Sequence, residues 1–82
     1  MLDPISPGEI LKEDFLVPLG LSDSRFARDI GVPPERVTGI VCGSCTITTD
    51  TARRLGIYFG IEPEFWMNLQ ARYDLRMAHR TD

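Results

Sequence analysis

LSDSRFARDIGVPPERVTGIVCG, residues Leu21–Gly43, reads as two short helices joined by a tight turn. Ser22 can cap the first helix by accepting a hydrogen bond from an otherwise orphan backbone N–H. Phe26, Ala27 and Ile30 then fall on one face at helical spacing. Gly31 suits the left-handed residue that closes a helix, and Val32 follows as an apolar plug. Pro33 and Pro34 open the second helix, because a first-turn N–H has no intrahelical partner to lose. Val37, Ile40 and Val41 form its inward stripe, which Gly43 ends. The pattern is a helix-turn-helix over residues 21–43, in which the small Ala27 lets the helices approach closely. Glu35, Arg36, Thr38, Gly39 and Cys42 are then expected on or near the outer surface of the second helix, where a DNA major groove would meet them. The same spacing also fits any small helical bundle with a glycine turn.

Outward from this stretch, the chain of 82 residues makes a single domain, 1–82, with one modest core. At that size help from a second copy is a realistic source of stability. With 43% hydrophobic and 26% charged residues the composition is that of an ordinary globular protein, and no apolar run approaches the roughly 20 residues of a membrane span. The opening MLDPISPGEI lacks the basic region and apolar block of a secretory signal, so the cytoplasm is the expected compartment and no membrane partner is expected.

The net charge of −3 argues against indiscriminate nucleic-acid binding, but it is unevenly spread. Residues 1–21 carry −3, residues 22–54 carry +1 and residues 55–82 carry −1. The central segment has the right sign for a DNA surface with a weak field, so binding there would rest on shape and a few specific contacts.

In chain order, residues 1–7 read as an extended arm, and a first helix begins near Gly8 with Ile10, Leu11, Phe15 and Leu16 inward. Pro18 and Gly20 are expected to break it, with Leu19 and Leu21 as apolar links. After Gly43 a polar loop carries one core residue, Ile47. Thr48 or Thr49 caps a fourth helix with Ala52, Leu55 and Phe59 inward, and Asp50 suits the positive end of its dipole. Gly56 inside that helix costs about 1 kcal/mol relative to alanine unless a neighbour packs very closely there. Gly60 ends it. The fifth helix opens at Pro63, with Trp66, Leu69, Tyr73 and Met77 in one stripe and Phe65 and Met67 off it. This excess of apolar surface makes residues 63–78 a candidate protein–protein surface and the expected dimerisation helix, with Phe65, Trp66, Leu69, Tyr73 and Met77 at the interface; the alternative is that all of it packs inside the small domain. Arg72, Arg76 and Arg80 give it a basic edge, and the tail HRTD is expected to fray.

Catalytic and metal-binding constellations are missing from the sequence. The single histidine, His79, stands near the terminus, and there is no phosphate-binding glycine loop and no carboxylate pair that the helices would bring into a cleft. CGSC, Cys42–Cys45, has the CxxC spacing of redox pairs and zinc half-sites. A structural zinc needs four ligands, and only His79 could add a third. Cys42 falls at a helix C-terminus, where the dipole disfavours a thiolate. Two reduced thiols, no cofactor and no enzyme are expected.

With the helices placed, SPGEILKEDFLVPLGLS, FARDIGVPPERV, ITTDTARRLGIYFG and PEFWMNLQARYDL resemble the HigA family of antitoxins, also called the VapI or addiction-module antidote family, from about Pro7 to Ala78. The PGEIL opening and the PEFWMNLQARYDL end set it apart from generic helix-turn-helix proteins. The resemblance implies an all-α, five-helix, lambda-repressor-like domain of the Cro type, dimeric and reading palindromic operator DNA. It implies neutralisation of a HigB-like toxin, an mRNA-cleaving ribonuclease acting on translating ribosomes, and repression of the shared operon.

Carried over by position, the recognition helix is Pro34–Cys42, with Arg36, Thr38 and Gly39 nearest the base edges and Glu35 beside the groove. Arg36 would pair with guanine and Glu35 accept from cytosine. Ser22, Arg25, Pro34, Ser44 and Cys45 complete the expected DNA-binding set. Three positions depart from the family pattern: Ser44 and Cys45 stand where basic loop residues are common, Gly39 where a side chain is usually polar, and Ser6 where a histidine usually precedes PGEIL. Each missing cation removes a phosphate contact and its counterion release. Two recognition helices about 34 Å apart would match one turn of DNA. The rival reading is a protein-interaction module of the same fold that no longer reads an operator; an enzyme using CGSC is a distant third.

Overall fold

The computed structural model describes residues 5–80, with the backbone alone at 79 and 80. Residues 1–4 of the expected arm, the side chains of His79 and Arg80, and Thr81 and Asp82 lie outside it, and with them most of the tail expected to fray.

Five helices follow one another. The first, α1, is continuous: α-helical over Pro7–Ile10, π-helical over Leu11–Leu16 and α-helical again over Val17–Leu19. Then come α2 (Asp23–Ile30), α3 (Pro34–Cys42), α4 (Thr49–Phe59) and α5 (Pro63–Arg80). Gly20, Gly31, Gly43 and Gly60 close the first four helices with positive φ, and among the described residues only glycines adopt that conformation.

The starts are equally local. Ser22 Oγ accepts from Arg25 N–H at 3.1 Å and Thr48 Oγ1, rather than Thr49, accepts from Thr51 N–H at 3.3 Å. Ser6 does the same for α1, accepting from Glu9 N–H at 3.2 Å, so that Pro7 sits in the first turn and the helix begins one residue before the expected Gly8.

Pro18 does not break α1 as expected. A proline in a regular helix lacks the donor for the carbonyl four residues back and clashes with it; here the wider π turn precedes it, with Val17 N–H bonded to Lys12 O. The helix runs on to Gly20, and it leaves Val17 and Leu19 exposed rather than making Leu19 an apolar link. Leu21 alone makes that link.

The core gathers Leu11, Leu16, Phe26, Ala27, Val37, Ile40, Ile47, Ala52, Leu55 and Trp66, all 2% exposed or less, with Ile30 and Val32 at its edge. Trp66 therefore belongs to the domain's own core and not to a free face of α5. Phe15 lies between Phe59 and Trp66, with ring centroids 4.7 and 5.2 Å away, and Phe59 stacks on Phe26 at 5.5 Å. The Trp66 Nε1–H is buried without a hydrogen-bond partner among the described residues.

Two glycines mark backbone crossings. A Cβ on Gly8 would overlap the Ile40 carbonyl and lie 2.9 Å from Val41 Cα, so α1 crosses α3 backbone to backbone. A Cβ on Gly56 would overlap Ile61 O and lie 3.3 Å from the Pro63 ring, which is the close neighbour that offsets the helix cost of this residue.

Candidate nucleic-acid interface

Helix α3 leans on α1 and α2 through Val37 and Ile40, with Val41 half-buried. Packing that stripe turns Pro34, Glu35, Arg36 and Thr38 to solvent. Gly39 departs from the expectation: it is buried, because the chain reverses at Gly43 and lays Cys45 over it, so that a Cβ there would overlap Cys45 Sγ. Gly39 is not placed to meet a base edge.

The reversal is held by one carbonyl. Ser44 and Cys45 donate their N–H groups to Gly39 O at 2.9 and 3.0 Å. Further on, Ile47 is drawn into the core and its N–H donates to Oε1 of the buried Gln70 at 2.9 Å. Gln70 in turn donates to Asp74 Oδ1 at 2.9 Å. The loop after α3 is thus anchored at both ends, and its middle stays on the surface.

Between that loop and the start of α3 runs an open groove of about 580 Å³, lined by Pro33, Glu35, Arg36, Cys45, Thr46, Thr48 and Thr51. Arg36 makes no ion pair within the described residues, whereas Arg54 and Arg53 flank Asp50 at 2.9 and 3.6 Å. The Arg54 guanidinium bonded to Asp50 holds that carboxyl below its usual range, and the charges of Arg53 and Arg36 add to the effect. Arg54 also donates to Ile30 O at 2.7 Å, joining α4 to the end of α2. Arg36 is left as the cation without a fixed partner at the mouth of the groove.

Of the expected set, Glu35, Arg36 and Cys45 line the groove, Pro34 and Ser44 are exposed beside lining residues in the chain, and Thr38 is exposed two residues beyond Arg36. Ser22 and Arg25 stand on the first turn of α2 and do not line it; the Ser22 hydroxyl is occupied as a cap and Arg25 pairs with Asp29 at 3.4 Å. Thr46 and Thr48 were missing from the expectation. The sequence showed Thr46 only as part of a polar loop and Thr48 only as a cap candidate, because their place beside Arg36 depends on how the loop is held, Gln70 accepting from the Ile47 N–H among its anchors. Among the described residues no group of three His, Cys, Asp or Glu side chains could hold a metal ion.

No family model matches the chain. Over 76 residues, 93% of this chain and 70% of the relative, it is 47% identical to virulence-associated protein I of Dichelobacter nodosus. Over 72 residues, 88% of this chain and 68% of the relative, it is 38% identical to antitoxin HigA-1 of Vibrio cholerae. The chain belongs to the HigA antitoxin family. The HigA fold is matched along with the sequence: the structure of Pseudomonas aeruginosa antitoxin HigA with the higBA promoter superposes with a TM-score of 0.92 at 42% identity, covering 95% of this chain and 85% of that one. In HigA terms the PGEIL opening is a packing device, since Pro7 starts α1, Gly8 lets it cross α3, and Leu11 enters the core.

Proposed function

We propose that this chain is the antitoxin of a type II toxin–antitoxin pair: a cytoplasmic, non-enzymatic homodimer that represses its own operon by binding double-stranded operator DNA and neutralises a HigB-like mRNA-cleaving toxin. The observation that carries the DNA half is the exposed Pro34–Thr38 turn with Arg36 unpaired beside the groove, on a fold that superposes on a HigA studied with its promoter. An arginine held at the start of a recognition helix reaches O6 and N7 of guanine with two parallel bonds, and Glu35 beside it accepts from the cytosine amino group. Thr38 extends the reading edge. Thr46 in the groove, Ser44 in the same loop and the first turn of α4 serve phosphate oxygens, because unpaired helix-start N–H groups and hydroxyls favour anions. The stripe Phe65, Leu69, Tyr73 and Met77 on α5 serves the second copy.

The test is fluorescence anisotropy of the protein on its own promoter and on a scrambled duplex at physiological salt. Tighter promoter binding that falls about 5- to 100-fold in Arg36→Ala, with the scrambled duplex unaffected, is the expected result. Equal binding to the two duplexes overturns the operator reading and favours the interaction-module rival. Co-expression with the toxin frame adjoining the gene tests the other half: growth should be rescued and the two proteins should co-purify.

A further inference from the structure

We propose that Cys42 and Cys45 form a hydroperoxide-sensitive dithiol at the end of α3, and that closing it to a disulfide weakens operator binding; the second half rests on the operator reading above.

The geometry starts from Gly39. Cys42 follows it by one helical turn on the same face, and its Sγ lies 3.5 Å from Gly39 O. The reversal at Gly43 returns the chain so that Cys45 N–H binds the same oxygen at 3.0 Å and the Cys45 sulfur covers Gly39 Cα, in the space a side chain would fill. Both thiols are thus brought to one peptide group, and both are exposed and free. A cysteine kept for packing is buried and inert. These two contribute no core surface, and the missing side chain at Gly39 gives Cys45 its seat.

Ser44 supplies the activation. Its hydroxyl lies 3.3 Å from Cys42 Sγ and 3.3 Å from Gly39 O, so its proton can turn from the carbonyl to the sulfur as the thiol ionises. That hydroxyl, with the Ser44 N–H, lowers the Cys42 thiol below its usual range, against the helix-dipole expectation for a C-terminal position. The Cys42 thiolate attacks one oxygen of hydrogen peroxide. The O–O bond breaks, hydroxide leaves and takes up a proton, and Cys42 becomes a sulfenic acid. Cys45 sulfur, losing its proton, then attacks Cys42 sulfur. The S–S bond forms as S–O breaks, and a second water departs. The two thiols are oxidised by two electrons and the peroxide is reduced to two waters.

The consequence is local. Forming the bond draws Cys45 off Gly39, and Cys45 lines the groove with Glu35 and Arg36. The loop that carries Ser44, Thr46 and Thr48 moves with it.

The experiment treats the full chain, freed of reductant, with hydrogen peroxide. Free thiols, intact mass and promoter anisotropy are read on the same samples. Expected is loss of both thiols with a mass decrease of about 2 Da in a species that stays a single chain on non-reducing gels. Promoter affinity should fall about tenfold or more and return with dithiothreitol. In Cys42→Ser/Cys45→Ser, promoter affinity, whatever its starting value, should be the same before and after peroxide, and Ser44→Ala should reach the same disulfide more slowly. Free thiols that survive peroxide, intermolecular disulfides, sulfinic acid alone, or a disulfide that leaves promoter affinity unchanged would each overturn the proposal. Absence of promoter binding by the reduced protein overturns the operator reading and the regulatory half together, while thiol count and mass still decide the dithiol.

Discussion

Gly8 is the residue on which the fold is least forgiving. Its Cα faces the Ile40 carbonyl, so Gly8→Ala must separate α1 from α3 or bend one of them, and neither a backbone carbonyl nor a helix axis yields cheaply. The variant is expected to lose about 3 kcal/mol or more of the order of 5–15 kcal/mol available to a small domain, read as a lower urea midpoint. Tyr58 is a milder case. Its hydroxyl donates to Asp29 Oδ2 at 3.0 Å, and this bond, with desolvation and the Asp29 charge, raises the phenol above its ordinary value near 10. A raised pKa means the contribution is fully present below that ordinary value and is lost as pH rises through the folded one. Ultraviolet titration should show Tyr58 ionising late, and Asp29→Asn should bring it back toward the ordinary phenol value. The cap at Ser22 was readable in the sequence, and that at Thr48 to within one residue, because a cap joins residues three apart. The buried position of Gly39 was not, since it depends on the direction in which the chain leaves Gly43.

Helix α5 is split in use along its length. Trp66 and Gln70 face inward, the tryptophan into the aromatic group of Phe15 and Phe59 and the glutamine to the Ile47 N–H. Phe65, Leu69, Tyr73 and Met77, four residues apart, form a neighbouring row of partly or well exposed apolar side chains. The two groups should separate by mutation. Trp66→Ala is expected to cost about 3–5 kcal/mol of folding stability, a large-to-small core loss. Tyr73→Asp should leave folding by circular dichroism nearly intact while shifting sedimentation toward monomer and weakening promoter binding cooperatively. Periodicity identified the helix and its excess of apolar surface, but residues 65 and 66 differ by only 100° around the axis. Which of them faces its own core is set by where α1 and α4 place Phe15 and Phe59.

The molecule as a whole carries −3, and the cation at the groove without a fixed partner is Arg36. Its promoter binding should therefore depend less steeply on salt than that of a basic-loop relative. Ser44→Lys should restore one phosphate contact per protomer and steepen the slope of log K against log salt by about 0.9 for each, roughly 1.8 for a dimer. A slope unchanged by Ser44→Lys would place residue 44 away from the phosphates. Helix number, the glycine-closed ends and the helix-turn-helix were determined by residue order alone, because capping, glycine reversal and the 3.6-residue period act within one or two turns of chain, while the π turn that carries α1 past Pro18 was not legible there. Only tertiary packing decided that Trp66 is core, that Gly39 is covered by Cys45, and that Thr46 and Thr48 share a groove with Arg36. Those outcomes depend on groups distant in sequence, Gln70 reaching Ile47 across 23 residues among them, and no local pattern encodes the direction from which such a partner arrives.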